Sequence, residues 1–265
     1  MFSLETGARS FAGGREYNED CVAIEHVRGH CCLALSDGAG GHAGGAVAAR
    51  VAVDKILHGF RARPPADAED LAELLLDAHE AVLAAQGTTT RAEEAMHATI
   101  VVVAIDTGAG TALWGHVGDS RLYLLRRGRV LATTRDDSVV QWMVESGYLA
   151  AEQARSHPNK NRLLAALGVD AEIQPTVQEE PFALEDGDAF LLCTDGWWDG
   201  LTGSQIEVEL GLAPSVGTWL DAMAATIAQK SAPDHDNYSA IGCWLLRLRR
   251  PADALPTTGL NRETP

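Results

Sequence analysis

Four acidic signatures in this chain each sit where a run of apolar residues stops or starts, and that placement limits the folds open to it. They are Arg15-Glu16-Tyr17-Asn18-Glu19-Asp20, Ser36-Asp37-Gly38-Ala39-Gly40-Gly41-His42, Thr194-Asp195-Gly196 and Asp236-Asn237. A carboxylate at the end of a buried strand costs several kcal/mol unless something positive compensates it. Few fixed cations lie near these points. Hard divalent ions fit the need, because Mg²⁺ and Mn²⁺ suit carboxylate, carbonyl and water ligands better than softer metals do. The residues therefore predict a carboxylate-rich metal site.

Periodicity supplies the scaffold. Cys21 to Val27 and His30 to Ser36 read as strands joined by a hairpin turn at Arg28-Gly29. After the Gly-rich segment the period changes to three and four in Ala46, Ala49, Val53, Ile56 or Leu57, and Phe60, the mark of an amphipathic helix that Pro64-Pro65 ends. Asp67 is placed to cap a second helix with a stripe of Leu71, Leu75, Ala78, Val82 and Ala85. Thr99 to Ile105, Ala112 to Val117, Ser120 to Leu125 and Arg129 to Ala132 read as a β-meander, followed by a polar, irregular flap from Asp136 to Gly168. Ala189 to Thr194 and Ser239 to Leu248 are further strands, and Val216, Leu220, Met223 and Ile227 mark a third helix. Strands and helices come in blocks rather than alternating one by one, which predicts an α+β fold.

Asp-Gly pairs are common turn signals, so each one alone is more often structural than chemical. The set carries the argument. Asp37 and Asp195 follow apolar strands directly and Asp236 precedes one, so the three can meet at the same end of a sheet stack. Gly38-Ala39-Gly40-Gly41-His42-Ala43 also satisfies a relaxed dinucleotide-binding pattern. Against that, Asp37 would stand beside a pyrophosphate, and no acid ends a second strand about twenty residues on. Cys243 and Arg249 show the spacing of a cysteine phosphatase, but the intervening segment has no glycine and alternates like a strand, which cannot cradle an anion. Ser120, Thr194 and Ser239 have no general base beside them in sequence.

A formal charge of −16 argues against nucleic acid or an anionic membrane as partner. The basic group Arg247, Arg249 and Arg250 reads as a solvated end to the last strand. Five cysteines without paired spacing suggest reduced thiols and a cytoplasmic protein. No stretch is apolar for long enough to span a bilayer.

Taken together, these motifs resemble the metal-dependent type 2C, or PPM, serine/threonine protein phosphatases in their compact bacterial form. The resemblance rests on Arg15 to Asp20, Asp37 to His42, Gly118-Asp119-Ser120-Arg121, Thr194-Asp195-Gly196, Asp236-Asn237, and flap residues Gly147 to Leu149, Glu152, His157-Pro158, Asn161 and Ala166-Leu167-Gly168. It implies a four-layer α/β/β/α sandwich with two central antiparallel sheets. One catalytic domain would span residues 1–250, with the flap at about 136–168 and a flexible tail over 251–265. It also implies two Mn²⁺ or Mg²⁺ ions bridged by Asp37, one held by Asp195 and Asp236 and the other by the Gly38 carbonyl, with Asp119 serving a weaker third ion. Glu19 and Asp20 would orient coordinated water, with Asn237 beside them, and Arg15 would bind the substrate phosphate. The implied reaction is hydrolysis of phosphoserine or phosphothreonine in proteins by a metal-bridged hydroxide, without a phosphoenzyme, by a monomer opposing a Ser/Thr kinase.

Three positions depart from that pattern. Asp136-Asp137-Ser138 replaces the usual D-H-S, His97-Ala98-Thr99 replaces G-T-T, and Gly45 stands where Glu is usual. None is an implied metal ligand. His42 is displaced from the acid histidine of eukaryotic relatives and receives no catalytic role. Two other functions fit a chain of this kind: a regulatory binding module that has lost turnover, and a phosphatase for a small phosphorylated molecule.

Overall fold

The computed structural model of the protein describes residues 1–39, 44–86, 96–169 and 171–248. Its centre is two antiparallel sheets packed face to face. The first orders β1 (Phe2–Phe11), β13 (Tyr238–Arg247), β12 (Ala189–Cys193), β8 (Arg121–Arg126) and β9 (Arg129–Thr133). The second orders β10 (Thr176–Val177), β7 (Thr111–Val117), β6 (Ile100–Asp106), β3 (His30–Ser36) and β2 (Cys21–Val27), with β11 (Phe182–Ala183) also paired to β7. A small ladder joins β4 (Gly38–Ala39) to β5 (His97–Ala98).

Strand pleating divides the side chains among three cores. Cys31, Leu33 and Leu35 of β3 meet Phe190, Leu192, Ile241 and Cys243 between the sheets. Their neighbours Cys32 and Ala34 face the other way, against α1 (Gly44–Ala62) and α2 (Ala68–Gln86). On the opposite side Leu191 and Cys193 pack on Trp219, Leu220 and Met223 of α7 (Val216–Lys230) and Ile206 of α6 (Gly203–Leu212). This is the four-layer α+β sandwich that the resemblance implies. The central strands are apolar on both faces because both faces are covered, so any charge they carry must sit at their ends.

Local signals hold where backbone chemistry is specific. Arg28 and Gly29 both have positive φ, as a tight hairpin turn requires. Asp67 caps α2, its carboxylate accepting from the Asp70 amide at 2.9 Å. The expected meander is corrected: β6 and β7 pair within one sheet, β8 and β9 within the other, and the chain crosses between sheets at Gly118-Asp119-Ser120. Gly118 makes that crossing at φ 101°, a conformation that a side chain disfavours. The flap holds α3 (Val139–Glu145), capped by Ser138, and α4 (Ala151–Ala154). β1, α6 and the short α5 (Asp195–Trp198) have no counterpart in the sequence reading.

One buried ion pair ties strand ends together far from the acidic cluster. Asp188 is fully buried and receives Arg126 through two hydrogen bonds of 2.8 Å each, while the Glu185 amide donates to it at 2.7 Å. Arg126→Met should cost roughly 3–5 kcal/mol in urea unfolding, because it leaves Asp188 buried without its cation. Adding Asp188→Leu to that variant should recover most of the loss. A single variant as stable as the parent would show that the carboxyl needs no partner.

Candidate metal centre

Register places the acidic signatures at one end of both sheets. Cys21 pairs with Ser36, so Asp20 and Asp37 extend from adjoining strand ends. Cys193 pairs with both Arg121 and Ala240, which brings Asp195, Asp119 and the segment before β13 to the same end of the other sheet. The crossing between the sheets delivers Asp119 there as well.

The backbone around each carboxylate is held in turn. The Asp37 amide donates to Thr99 Oγ1 at 3.0 Å, and the Thr99 amide donates to the Asp37 carbonyl at 2.8 Å. The Ser36 hydroxyl donates to the Thr99 carbonyl, and Thr99 Oγ1 shares a 2.7 Å bond with Ser120. Thr99 is thus the retained member of the altered G-T-T segment that fixes the Asp37 turn. Asn237 clamps the opening motif: its Oδ1 accepts from the Glu19 amide, and its Nδ2 donates to the carbonyls of Ala12 and Tyr17. Gly38 and Gly45 touch backbone to backbone, since a Cβ on Gly38 would lie 2.1 Å from the Gly45 carbonyl oxygen and one on Gly45 would lie 2.7 Å from Glu19 Oε1. The absence of a side chain on Gly45 is what lets α1 start against the Asp37-Gly38 turn. Gly40, Gly41 and His42 lie outside the described residues.

Electrostatics at this end are dominated by like charges. Burial first, then the charges of Asp20, Asp195, Asp119 and Asp236, push the Asp37 carboxyl well above its ordinary range. Burial, with Asp195 and Asp236 adding to it, raises Asp20 to about 7. Burial and Asp195 raise Asp119 to about 8, and burial with Asp236 raises Asp195 to about 6. Glu19 is also raised, by burial and then by Asp236, although the Gly45 and Ala46 amides oppose the shift. Arg15 reaches only the rim, donating from Nη2 to Asp236 Oδ2 at 2.9 Å with its side chain 56% exposed.

Two buried oxygens, Glu19 Oε1 and Asp20 Oδ1, have no hydrogen-bond partner. Orphaned acceptors amid mutually repelling carboxylates call for cations. Among the described residues no three Asp, Glu, His or Cys side chains close around a single point. The acids share one sheet end without closing on a point, and hard ions which keep several waters suit such looser sets of oxygen ligands.

A second group of residues, to which the sequence reading gave no role, ties the flap to this acidic cluster. Trp198 lies one helical turn after Asp195, and its indole N–H donates to the Asp119 carbonyl at 2.9 Å. The Arg121 guanidinium lies 3.6 Å over the Trp198 ring and forks onto Asp136 at 2.7 Å through two bonds. Asp137 accepts from the Gly118 amide at 2.9 Å. Arg155 of the flap donates to the carbonyls of Trp198 and Leu201. The five cysteines are free and buried, with burial pushing Cys31 up to about 12 and Cys243 far above its usual range. Arg249, the partner in the cysteine-phosphatase spacing, lies outside the described residues.

The family model for Protein phosphatase 2C matches residues 9–234. The chain is 35% identical over 205 residues to the serine/threonine protein phosphatase PstP of Mycobacterium tuberculosis, covering 77% of this chain and 38% of that longer protein. It is 32% identical over 197 residues to the protein phosphatase PhpP of Streptococcus pneumoniae, covering 72% of this chain and 78% of that one. A crystal structure of the PstP catalytic domain in complex with two manganese ions superposes with a TM-score of 0.78 at 29% identity, covering 93% of this chain and all of that one.

The raised carboxyls predict a pH-dependent stability. Asp20, Asp119 and Asp195 start from an ordinary value of 3.8 and rise to about 7, 8 and 6 in the folded protein. A folded-state pKa above the unfolded one gives stability that is complete below pH 3.8 and is lost as pH rises through the folded values. Metal-free protein should therefore melt lower at about pH 8 than at about pH 5.5, and Mn²⁺ should raise Tm more at the higher pH. Calorimetric scans with and without Mn²⁺ at both pH values check this. Equal metal-free Tm values would show that the acids do not repel one another.

Proposed function

Because the chain belongs to the protein phosphatase 2C family, we propose that it hydrolyses phosphoserine and phosphothreonine in proteins with the help of two Mn²⁺ or Mg²⁺ ions, reversing a Ser/Thr kinase. The observation that carries the reading is the convergence of Asp20, Asp37, Asp119, Asp195 and Asp236 at one sheet end, each of the first four raised by burial and by its neighbours' charges. Asp37 would be shared by both ions, Asp195 and Asp236 would complete one, the Gly38 carbonyl would serve the other, and Asp119 a weaker third. Bound there, divalent ions would make water nucleophilic near neutral pH and offset charge developing on the phosphoryl group.

The remaining chemistry belongs to the chain. Glu19 and Asp20 present unpartnered buried oxygens that can accept from water and orient it toward phosphorus. Arg15 rests on Asp236 and is half exposed, so once Asp236 is neutralised its planar fork is available to a phosphoryl group. Ser120, Thr194 and Ser239 are buried and hydrogen-bonded, and the cysteines are buried with raised pKa values, which supports direct attack by water over a covalent enzyme intermediate. The intact carboxylate set favours turnover over a purely regulatory module. Among the described residues no helix is long and apolar enough to cross a membrane, and the protein is read as a cytoplasmic monomer.

Activity on a phosphothreonine peptide should require added Mn²⁺ or Mg²⁺ and disappear with chelator. Asp37→Asn should abolish it while circular dichroism shows the fold intact. Full turnover in excess EDTA after removal of bound metal would sink the proposal, as would a folded Asp37→Asn variant of parental activity.

Arg15→Ala should lower kcat/KM about tenfold or more, chiefly through KM, since a charge-assisted hydrogen bond to phosphate contributes roughly 1.5–3 kcal/mol. Mn²⁺ affinity by calorimetry should stay within about twofold, and Arg15→Lys should recover only part of the loss. Lost metal binding at constant KM would instead make Arg15 part of the scaffold of the acidic cluster.

A further inference from the structure

Lysine is the scarce cation in this chain: among twenty-one Lys and Arg residues only Lys55, Lys160 and Lys230 are lysines. Two of those three line one cleft. It has a volume of about 440 Å³ and is lined by Asp195 and Asp236, by Lys160 from the flap and by Lys230, the last residue of α7. Trp198 and Asp199 line it too.

Each lysine has a local explanation that stops short of this arrangement. Lys160 forms an ion pair with Asp199. Lys230 favourably ends a helix, where a cation meets the negative end of the dipole. Neither fact accounts for both lining the cleft that Asp195 and Asp236 also line. With Asp199 matched by Lys160, and Asp195 and Asp236 engaged by the ions they would hold, Lys230 is the charge left over. It is exposed and makes no ion pair with the described residues. The chain as a whole carries a net charge of −16, which disfavours the approach of acidic peptides. Local positive charge in such a chain changes which substrates dock well, because complementary charge at close range sets specificity more than raw affinity.

We propose that this cleft is the subsite for the residues flanking the phosphorylated side chain, and that Lys230, with Lys160 lining the same cleft, selects an acidic flank. The inference rests on the phosphatase reading. It assigns Lys230 a specificity role and gives it no part in the hydrolysis itself.

The test compares kcat/KM for two phosphothreonine peptides of equal length, one with Glu on both sides of the phosphothreonine and one with Lys, in Mn²⁺. The ratio of the two values is internal to each variant, so a general loss of activity cancels. The parent protein should prefer the acidic peptide, Lys230→Glu should cut the ratio about fivefold or more, Lys230→Arg should keep it, and added salt should shrink it. An unchanged ratio in Lys230→Glu overturns the inference. So does a parent protein that hydrolyses p-nitrophenyl phosphate and neither peptide. Failure on p-nitrophenyl phosphate as well would remove the phosphatase reading itself. Fluorescence anisotropy with the same labelled peptides would then still decide the subsite, and equal binding by the parent and Lys230→Glu would rule it out.

Discussion

Mutual repulsion among carboxylates that protein surrounds on most sides is the constraint on which this structure turns. Strands covered on both faces have no place for charge except at their tips, and the register of two sheets brings five such tips together. The amides, hydroxyls and one asparagine that fix the turns beneath the carboxylates keep the acids close despite their charge. The fold supplies rigidity so that divalent cations can supply the attraction. A scaffold of this kind is preorganised toward cations at the cost of its own stability without them.

The flap ends on α2 and β5 through Leu167 and Gly168, while its start is joined to groups beside the metal centre. Arg121, held by Asp136 and stacked on Trp198, follows Asp119 by two residues, and Trp198 follows Asp195 by three. Through these contacts the start of the flap, the crossing between the sheets and the short α5 form one body. Arg155 adds a second attachment further along the flap. Arg121, Asp136 and Trp198 thereby connect the start of the flap to residues that flank two of the acids.

How much of this was legible in the sequence follows from which physical signal was local. Val101 to Val103 and Phe190 to Leu192 announce strands because burial on both faces leaves an uninterrupted apolar run. Asp37, Asp195 and Asp236 are readable because a charge next to such a run needs an explanation. β1 escaped notice since Phe2–Phe11 is an edge strand, half-buried and polar at alternate positions, and its pairing partner lies more than two hundred residues away. The meander could not be divided from sequence, because a hairpin within a sheet and a crossing between sheets both use a short Gly-containing turn. Trp198 and Arg121 stood inside or beside recognised motifs, but stacking between them is a tertiary contact with no periodicity to betray it.

The contact between Gly38 and Gly45 limits the substitutions that the start of α1 can accept. Each glycine occupies space that the other's backbone forbids to a side chain, and rotating a rotamer cannot relieve a clash with a carbonyl. A larger residue at either position would require α1 to shift as a body against the turn that bears Asp37. Such a shift would also disturb Glu19, whose carboxylate lies 2.7 Å from where a Cβ on Gly45 would stand. The two glycines thus constrain one another, and a side chain added at position 38 or 45 must move the helix start away from the turn that bears Asp37.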